Sequence, residues 1–336
     1  MWREWRGGPN VHCFLCAHHC RIAPGERGRC GVRENRGGAL YTLVYGRPVA
    51  LAVDPIEKKP LFHFLPGSMS LSLATVGCNF ACAFCQNAEI SQMPRDEGRI
   101  TGRYLSPGQV VEAALESGCL SIAYTYTEPT IYYEYARDCA RLATAAGLKN
   151  VFVTNGYMTA EALADIDGHL HAANVDLKSF SDDFYRTWVD ARLKPVLDSI
   201  RRLHSMGVWL EVTTLLIPGL NDSDDELRAV ARFLVSVSPG IPWHVSRFHP
   251  TYRMRDIPPT SLASMERALS IGKEEGLEYV YGGNVPGHAT ESTVCPDCGE
   301  TLIEREGFRL RKNRAALGRC PRCGREIAII LKEVSE

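Results

Sequence analysis

Eleven of the thirteen cysteines in this chain of 336 residues fall into three groups, and this clustering constrains the fold more than any other feature. The groups are an N-terminal set (Cys13, Cys16, Cys20 and Cys30), a central triad (Cys78, Cys82 and Cys85) and a C-terminal set (Cys295, Cys298, Cys320 and Cys323). The stretch MWREWRGGPN lacks the apolar segment of a signal peptide, so we expect a cytoplasmic protein with reduced thiols. In that compartment clustered cysteines bind metals more often than they form disulfides.

The overall composition is that of a soluble globular protein. Hydrophobic residues make up 45% and charged residues 23%, and the formal net charge is -1, so the whole molecule gives no electrostatic sign of binding nucleic acid. No apolar run approaches the roughly 18 residues that span a bilayer, so we expect no membrane partner. Cys119 and Cys139 lie outside the three groups, and we predict that both are inert core residues.

Strand and helix patterns alternate through the middle of the chain. The predicted strands are residues 70–77, 120–127, 150–156, 174–180, 208–219, 243–250 and 278–284, and the predicted helices are 130–147, 183–206, 222–237 and about 260–275. Repeated βα units require a parallel sheet with right-handed crossovers, and about six units favour a partial or full barrel over an open doubly wound sheet. We predict an α/β fold, a full or partial barrel with the open doubly wound sheet as the alternative, and in either architecture the functional side chains lie after the carboxyl ends of the strands.

Two flanking segments differ from this core in composition. We predict a cysteine-rich N-terminal module at residues 1–65, the barrel core at 66–290 and a zinc-ribbon-like module at 291–336.

The stretch TVGCNFACAFCQN (75–87) places the central triad in one short loop after a predicted strand. A structural zinc ion takes four ligands and a disulfide takes two, whereas three thiolates can bind three irons of a [4Fe-4S] cluster and leave the fourth iron open. Gly77, Ala81 and Ala83 supply the small side chains that a tight loop around such a cluster needs. A zinc site with a distant fourth ligand, or three reduced core cysteines, are the alternatives.

The triad, with Phe84 directly before its last cysteine, resembles the CxxxCxxC signature of radical S-adenosylmethionine (SAM) enzymes. The surrounding sequence resembles the branch of the pyruvate formate-lyase activating enzyme and, more closely, the radical SAM member of the AmmeMemoRadiSam group. The stretches that carry the resemblance are DPIEKKPLFHFLPGS (54–68), GCNFACAFCQN (77–87), YTEPTI (126–131), TNG (154–156), VDLKSF (175–180), LIPGLND (216–222) and GNVPGH (283–288).

The resemblance implies an α/β fold with a partial (β/α)6 barrel of the radical SAM type, and it implies a mechanism. SAM chelates the open iron, one electron enters its sulfonium, and the bond to C5′ breaks to give methionine and a 5′-deoxyadenosyl radical that abstracts hydrogen from a substrate.

The resemblance also implies roles for individual residues around the cluster. Glu128 matches a carboxylate that holds the amino group of SAM, although Tyr126 and Thr127 stand where glycines are usual. Asn155, Asp176 and Lys178 match strand-end positions near the SAM carboxylate, and His249 resembles a histidine near the ribose. Val153 stands where the branch has an aspartate of a monovalent cation site. The alternatives are a helix N-terminal charge for Glu128, an Asp176–Lys178 surface pair and a structural role for His249. We expect Asn284 and His288 to line the site.

The C-terminal set forms two CPxCG knuckles about twenty residues apart, which is the zinc-ribbon arrangement, with rubredoxin-like iron as the alternative. Basic residues lie between the knuckles and predict a solvated face or, alternatively, a surface that docks RNA: Arg305, Arg309, Arg311, Lys312, Arg314 and Arg319.

The N-terminal set fits either structural zinc or a second, fully ligated [4Fe-4S] cluster. His12, His18 and His19 lie among its cysteines and can replace a thiol. The spacing favours zinc, because a ferredoxin-like run places its first three cysteines at two-residue intervals and this one does not.

We therefore predict a radical SAM enzyme that acts on an unidentified small molecule or protein. The resemblance implies an electron donor such as ferredoxin or flavodoxin, and its family name points to AMMECR1-like and Memo-like protein partners. Activation of a glycyl radical enzyme, RNA modification and simple electron transfer are the alternatives.

Overall fold

The computed structural model describes residues 1–285, 289–315 and 317–332. A small β module lies at the N-terminal end. The strands of this module are β1 (Trp2–Trp5), β2 (Gly8–Cys13), β3 (Arg21–Ile22), β4 (Arg33–Arg36) and β5 (Ala39–Thr42). The first three strands form an antiparallel sheet, and β4 and β5 form a hairpin. The apolar residues Val11, Leu15, Ile22 and Val32 pack into the core of the main domain. The module is therefore built onto the barrel rather than around a core of its own.

Eight strands form the central sheet. They are β6 (Ala50–Pro55), β7 (Met69–Ala74), β8 (Ser121–Tyr124), β9 (Lys149–Thr154), β10 (Ala172–Asp176), β11 (Trp209–Leu216), β12 (Trp243–Arg247) and β13 (Val280–Gly283). They follow one another in sheet order, β7 to β13 are parallel, and β6 pairs antiparallel with β7 at one edge. β8 is buried along its whole length and β10 along its first four residues. The in-order parallel sheet with helical connections confirms the predicted fold class. The predicted module boundary at residue 65 stays a prediction, although β6 already belongs to this sheet.

Helices connect the parallel strands. They are α1 (Ala88–Ser91), α2 (Met93–Asp96), α3 (Pro107–Glu116), α4 (Tyr133–Ala145), α5 (Ala160–Asp165), α6 (Asp182–Phe184), α7 (Leu193–Ser205), α8 (Asp224–Val237) and α9 (Leu262–Glu274). Hydroxyl side chains cap the first turns of α3, α5, α8 and α9, and Gly147 ends the α4 region with a φ of 81°, as the glycine stop predicts.

The predicted continuous helix at 183–206 is wrong in its middle. After α6, residues Tyr185–Val189 form a π-helical turn, and Asp190 adopts a left-handed conformation with φ of 60°. The carbonyls of Trp188 and Val189 accept hydrogen bonds from the amides of Ala83 and Ala81 in the triad loop, at 3.0 and 2.9 Å. The helix breaks because its carbonyls bind the triad loop, and π turns of this kind are frequent at functional sites.

The C-terminal module is a three-stranded antiparallel sheet of β14 (Thr293–Val294), β15 (Thr301–Glu306) and β16 (Arg309–Asn313). Its core includes two cysteines of the C-terminal set and packs on Phe62, Tyr279 and Tyr281 of the barrel. Among the residues described, no helix has both the length and the apolar composition to cross a membrane.

Candidate active site

A cavity of about 350 Å³ opens at the carboxyl ends of the parallel strands, where a barrel of this topology carries its functional side chains. The predicted site residues in its wall are Cys78, Cys82, Phe84, Cys85, Glu128, Asn155, Asp176 and Lys178. They come from four strand-to-helix connections that are far apart in sequence. The fold therefore assembles in one place the side chains that the sequence motifs singled out.

The triad loop is held from behind by the N-terminal module. Gly77 has a φ of 102°, and a Cβ atom there would lie 2.8 Å from Cγ1 of Val32 and 3.0 Å from the carbonyl oxygen of Cys30. The His18 ring donates from Nε2 to the carbonyl of Asn79 at 2.8 Å. Only glycine fits this approach, so Gly77 fixes where the loop leaves β7.

The triad cysteines suit a multi-iron cluster better than a single ion. In the described part of the chain, only the C-terminal set brings its ligand atoms within 4.8 Å of one another, so the three triad sulfurs do not surround one mononuclear site. A cube spreads its thiolates because each binds a different iron. The amide of Phe80 donates to Sγ of Cys78 at 3.4 Å, and burial raises the pKa of Cys82 to about 12, with the charge of Lys178 opposing that rise. The amide of Phe80 and the ammonium of Lys178 favour the thiolate form that a cluster needs, whereas burial opposes it.

Glu128 is buried and connects three segments of the site. Its Oε1 accepts hydrogen bonds from the amide and hydroxyl of Thr130 and from the hydroxyl of Thr154, and its Oε2 accepts one from the amide of Asn155 at 2.8 Å. Burial raises its pKa, with these donors opposing the rise. Glu128 is therefore more than the terminal charge of a helix, and Oε2, which accepts one hydrogen bond among the described residues, has a lone pair left for a further donor.

Tyr126, one of the two residues before Glu128 where the resemblance implies a glycine, has a backbone conformation that glycine adopts easily. Tyr126 has a φ of 60°, a left-handed value that a tyrosine rarely adopts, and its carbonyl accepts from Nδ2 of Asn87 at 2.8 Å. The hydroxyl of Thr127 donates to the carbonyl of Thr75 at 2.9 Å. These contacts hold the left-handed turn that glycine would adopt without strain.

Asp176 and Lys178 form an ion pair with an Nζ–Oδ2 distance of 3.1 Å, and both line the cavity. The Lys178 side chain is 14% exposed. Burial lowers the pKa of Lys178, but the nearby Asp176 and Cys82 raise it by more. The net upward shift of the pKa keeps the ammonium charged. The pair exists, as the surface-pair alternative predicts, but it lies in the cavity wall beside the triad.

His249 follows β12 and is exposed, and it is not among the residues that line this cavity. The structure does not bring it together with the other predicted residues. Val153 and Asn284 do line the cavity, and the side chain of Val153 has no oxygen that could bind a monovalent cation. His288 lies outside the described residues.

Sequence reasoning missed the far wall of the cavity. Lys59 is 1% exposed, donates from Nζ to Oδ2 of Asp54 at 2.7 Å, and lies over the ring of Tyr126. Glu291 and Phe308 of the C-terminal module also line the cavity. The stretch that contains Asp54 and Lys59 was singled out by resemblance, but its chemistry is visible only once β6 lies beside β7.

The C-terminal set has the geometry of a mononuclear metal site. Its sulfurs lie within 4.8 Å of one another, with 3.6 Å between Sγ of Cys295 and Cys323 and between Sγ of Cys298 and Cys320. A zinc–sulfur bond of about 2.3 Å in a tetrahedron places sulfurs roughly 3.8 Å apart. The two knuckles also fold alike, since Gly299 and Gly324 have φ values of 70° and 78° and donate back to the first cysteine of each knuckle. The set fits a four-thiolate ion, either zinc or iron.

The predicted basic face of this module is reduced by pairing. Arg305 is buried, and its guanidinium lies 3.5 Å from Glu57 of the core, so it does not belong to an exposed face. Arg311, Arg314 and Arg319 each pair with a glutamate of the same module. Four of the six basic residues are therefore buried or paired, which leaves little free positive charge for docking RNA.

Comparison with known proteins agrees with this geometry. The family model of the Radical SAM superfamily matches residues 72–234. An uncharacterized protein of Methanocaldococcus jannaschii is 46% identical over 334 residues, which cover 98% of this chain and 99% of that protein. The pyruvate formate-lyase-activating enzyme of Clostridium pasteurianum is 19% identical over 192 residues, which cover 54% of this chain and 80% of that enzyme. A radical SAM methyltransferase from Sphaerobacter thermophilus has the same fold, with a TM-score of 0.51 at 20% identity over 71% of each chain.

Proposed function

We propose that this chain is a radical SAM enzyme that cleaves SAM reductively at a [4Fe-4S] cluster held by Cys78, Cys82 and Cys85, and the match of the Radical SAM superfamily model to residues 72–234 supports the proposal. Membership of the superfamily implies both cofactors. When bound, such a cluster supplies one electron to the sulfonium of SAM, and the resulting 5′-deoxyadenosyl radical abstracts hydrogen from a substrate. The observation that carries the proposal is that the triad, Glu128 and the Asp176–Lys178 pair line one cavity at the carboxyl ends of the strands.

The protein side chains orient SAM by charge. When SAM is bound, the free lone pair of Oε2 on Glu128 would accept a hydrogen bond from the ammonium group of the methionyl part. Lys178, which stays cationic beside Asp176, would attract the carboxylate. Asn155 donates from Nδ2 to Oδ1 of Asn79 at 2.7 Å, and this bond keeps the triad loop in register with the end of β9. Phe84 is 3% exposed and packs on Phe184, which shields the triad from water.

The substrate occupies the remaining part of the same cavity, between the triad and the C-terminal module. Phe62 and Phe308 offer apolar surface there, while Lys58 and Glu291 offer charges of both signs. This mixed wall favours a polar organic molecule or a peptide segment. Activation of a partner protein, the activity named for the C. pasteurianum relative, is the second candidate and is compatible with a peptide segment in this space. A one-electron donor of the ferredoxin or flavodoxin class completes the scheme, and the AMMECR1-like and Memo-like partners stay predictions.

The test is SAM cleavage by the full chain. Protein reconstituted without oxygen with iron and sulfide is incubated with dithionite and SAM, and 5′-deoxyadenosine is measured by mass spectrometry. We expect product from the wild type, none from Cys82→Ala, and wild-type amounts from Cys119→Ala, whose cysteine is equally buried but lies outside the cavity. A Cys82→Ala protein that still cleaves SAM would falsify the assignment of the triad.

A second variant tests the SAM contacts separately from the cluster. Glu128→Gln keeps the size of the side chain but removes its charge, and losing one partner of a buried charged contact costs about 2 kcal/mol or more, which is a loss of roughly 30-fold in SAM affinity. Iron content should be unchanged. Unchanged SAM affinity in a fully loaded variant would show that Glu128 only braces Thr154 and Asn155.

A further inference from the structure

The four cysteines of the N-terminal set surround a cavity that lies behind the active site. Cys13, Cys16, Cys20 and Cys30 all line it, together with His18, Arg33 and Thr130. The cavity has a volume of about 20 Å³, enough for a water-sized body. All four cysteines of the set therefore face one buried space.

The spacing of the sulfurs distinguishes a site for a single metal ion from a site for an iron–sulfur cluster. No three of these cysteines bring their sulfurs within 4.8 Å of one another, although all four face one cavity. The C-terminal set, with the same number of cysteines, meets that limit with all four. A tetrahedral zinc site needs sulfurs roughly 3.8 Å apart, whereas a cube binds each thiolate at a different corner.

The positive charge of Arg33 makes the cavity suitable for binding an anion. It is 4% exposed and lines the cavity, and its two Nη groups are bound by the carboxylate of Glu134. Its Nε–H is buried and has no hydrogen-bond partner among the described residues. A buried donor without an acceptor costs about 1–3 kcal/mol, and an anionic cluster beside Arg33 would supply that acceptor.

The ring of His18 is already engaged elsewhere. Its Nε2 binds the carbonyl of Asn79, so His18 is not free to replace a thiol through that nitrogen. His12 and His19 do not line the cavity, so its candidate ligands are the four cysteines, which is the ligand set of a cluster with no open iron.

We propose that Cys13, Cys16, Cys20 and Cys30 bind a second iron–sulfur cluster, of the [4Fe-4S] class, and not the zinc ion that their spacing in sequence favours. The site adjoins the first in two places. The carbonyl oxygen of Cys30 lies where it would crowd a Cβ atom on Gly77, the residue before the triad, and Thr130 both lines this cavity and donates to Glu128. The inference does not rest on the proposed function, since a cluster here is independent of SAM cleavage.

The test is metal analysis of the full chain with the triad removed. The variant Cys78→Ala/Cys82→Ala/Cys85→Ala, prepared without oxygen, is expected to retain about four irons and four sulfides per chain, against about eight of each in the wild type. Its reduced cluster should give an electron paramagnetic resonance signal that does not change when SAM is added, because four cysteines leave no iron open. Adding Cys13→Ser and Cys30→Ser should remove the remaining iron, whereas adding Cys119→Ser should not.

Two results would overturn the proposal. One is a triad variant with native circular dichroism that holds no iron, with or without a second zinc ion. The other, which does not depend on the folding of any variant, is a wild-type Mössbauer spectrum that accounts for all iron with a single four-iron cluster.

Discussion

Two modules with four cysteines each flank the active site, and they are built in opposite ways. In the C-terminal module the four sulfurs converge to within 4.8 Å, while in the N-terminal module they surround a cavity without converging. The C-terminal module also lines the cavity with Glu291 and Phe308, whereas the N-terminal module packs behind the triad loop at Gly77. The difference indicates that one module forms part of the cavity wall and the other supports the triad loop.

The two modules share one device for docking on the barrel. Each inserts an arginine of its own beside a glutamate of the core, Arg33 with Glu134 and Arg305 with Glu57. Arg305 also donates from Nη1 to Thr293 at 2.9 Å and from Nη2 to the carbonyl of Phe62. The degree of burial differs, because Arg305 and Glu57 have fully buried side chains while that of Glu134 is 29% exposed. We therefore expect substitutions in the two modules to change the free energy of unfolding by different amounts.

Removing the C-terminal metal should have the largest effect. The variant Cys298→Ala is expected to lose about one metal ion per chain and to unfold its module, since structural zinc contributes on the order of 10 kcal/mol to small domains that depend on it. Iron content and SAM cleavage by the core should stay. Metal analysis and limited proteolysis measure these outcomes. Loss of SAM cleavage from a variant that is still folded would contradict the structural role of this module.

Replacing the docking arginines should have the next largest effect. Arg305→Met leaves Glu57 buried without its partner, and breaking a buried ion pair costs about 3–5 kcal/mol. Arg33→Met should cost less, because water reaches part of Glu134. Denaturant unfolding of both variants with metals bound gives the two free energies. If Arg33→Met were the more destabilising, the N-terminal module would be the more tightly docked. That result would contradict the expectation from burial, since the Arg305–Glu57 pair is the more deeply buried.

Lowering the pH should loosen the C-terminal module. The His63 ring binds the carbonyl of Ala328 through Nδ1 and the hydroxyl of Tyr281 through Nε2, and burial lowers its pKa from 6.5 to about 4, with Glu211 opposing and Arg305 and His244 adding to the shift. The unfolded chain binds a proton near pH 6.5 and the folded chain does not. Stability is therefore complete above pH 6.5 and falls by up to about 3 kcal/mol as the pH drops toward 4.

The matched control for this pH dependence is His63→Gln, which can still donate to Ala328 and accept from Tyr281 but does not titrate. Thermal unfolding between pH 7 and pH 4.5 should show a smaller loss of stability in the variant than in the wild type. Some loss should remain, because buried Glu211, whose pKa is lowered mainly by its bond to His244 against the effect of burial, also loses stability in acid. Identical pH profiles would rule out His63 as the titrating group.

The strands of the barrel were predictable because β8 and β10 are buried on both faces and show as apolar runs in the sequence. The break at Asp190 was not predictable, since it depends on hydrogen bonds to Ala81 and Ala83 more than a hundred residues earlier. The triad, Glu128 and Lys178 follow strand ends, so topology alone brings them together. Phe308 reaches the cavity only through the docking of another module, which local sequence patterns do not encode.

The smallest effect is expected from the exposed ion pairs of the C-terminal module. Arg311 and Glu306 are 44% and 69% exposed, and Arg319 and Glu326 are 64% and 77% exposed, so water and salt screen both pairs. The double variant Arg311→Gln/Arg319→Gln should change the free energy of unfolding by less than about 1 kcal/mol, well below the effect of Arg305→Met. SAM cleavage should be unchanged, because neither arginine lines the active-site cavity.

The same double variant separates a solvated surface from an RNA-binding one. Binding of a fluorescent single-stranded RNA is measured at low salt in the wild type and the variant. We expect weak binding that the substitutions do not alter, because both arginines are already neutralised by neighbouring glutamates. A loss of affinity in the variant, together with a shallower salt dependence, would mean that phosphates displace those glutamates, and the C-terminal module would then be a binding surface as well as a wall of the active site.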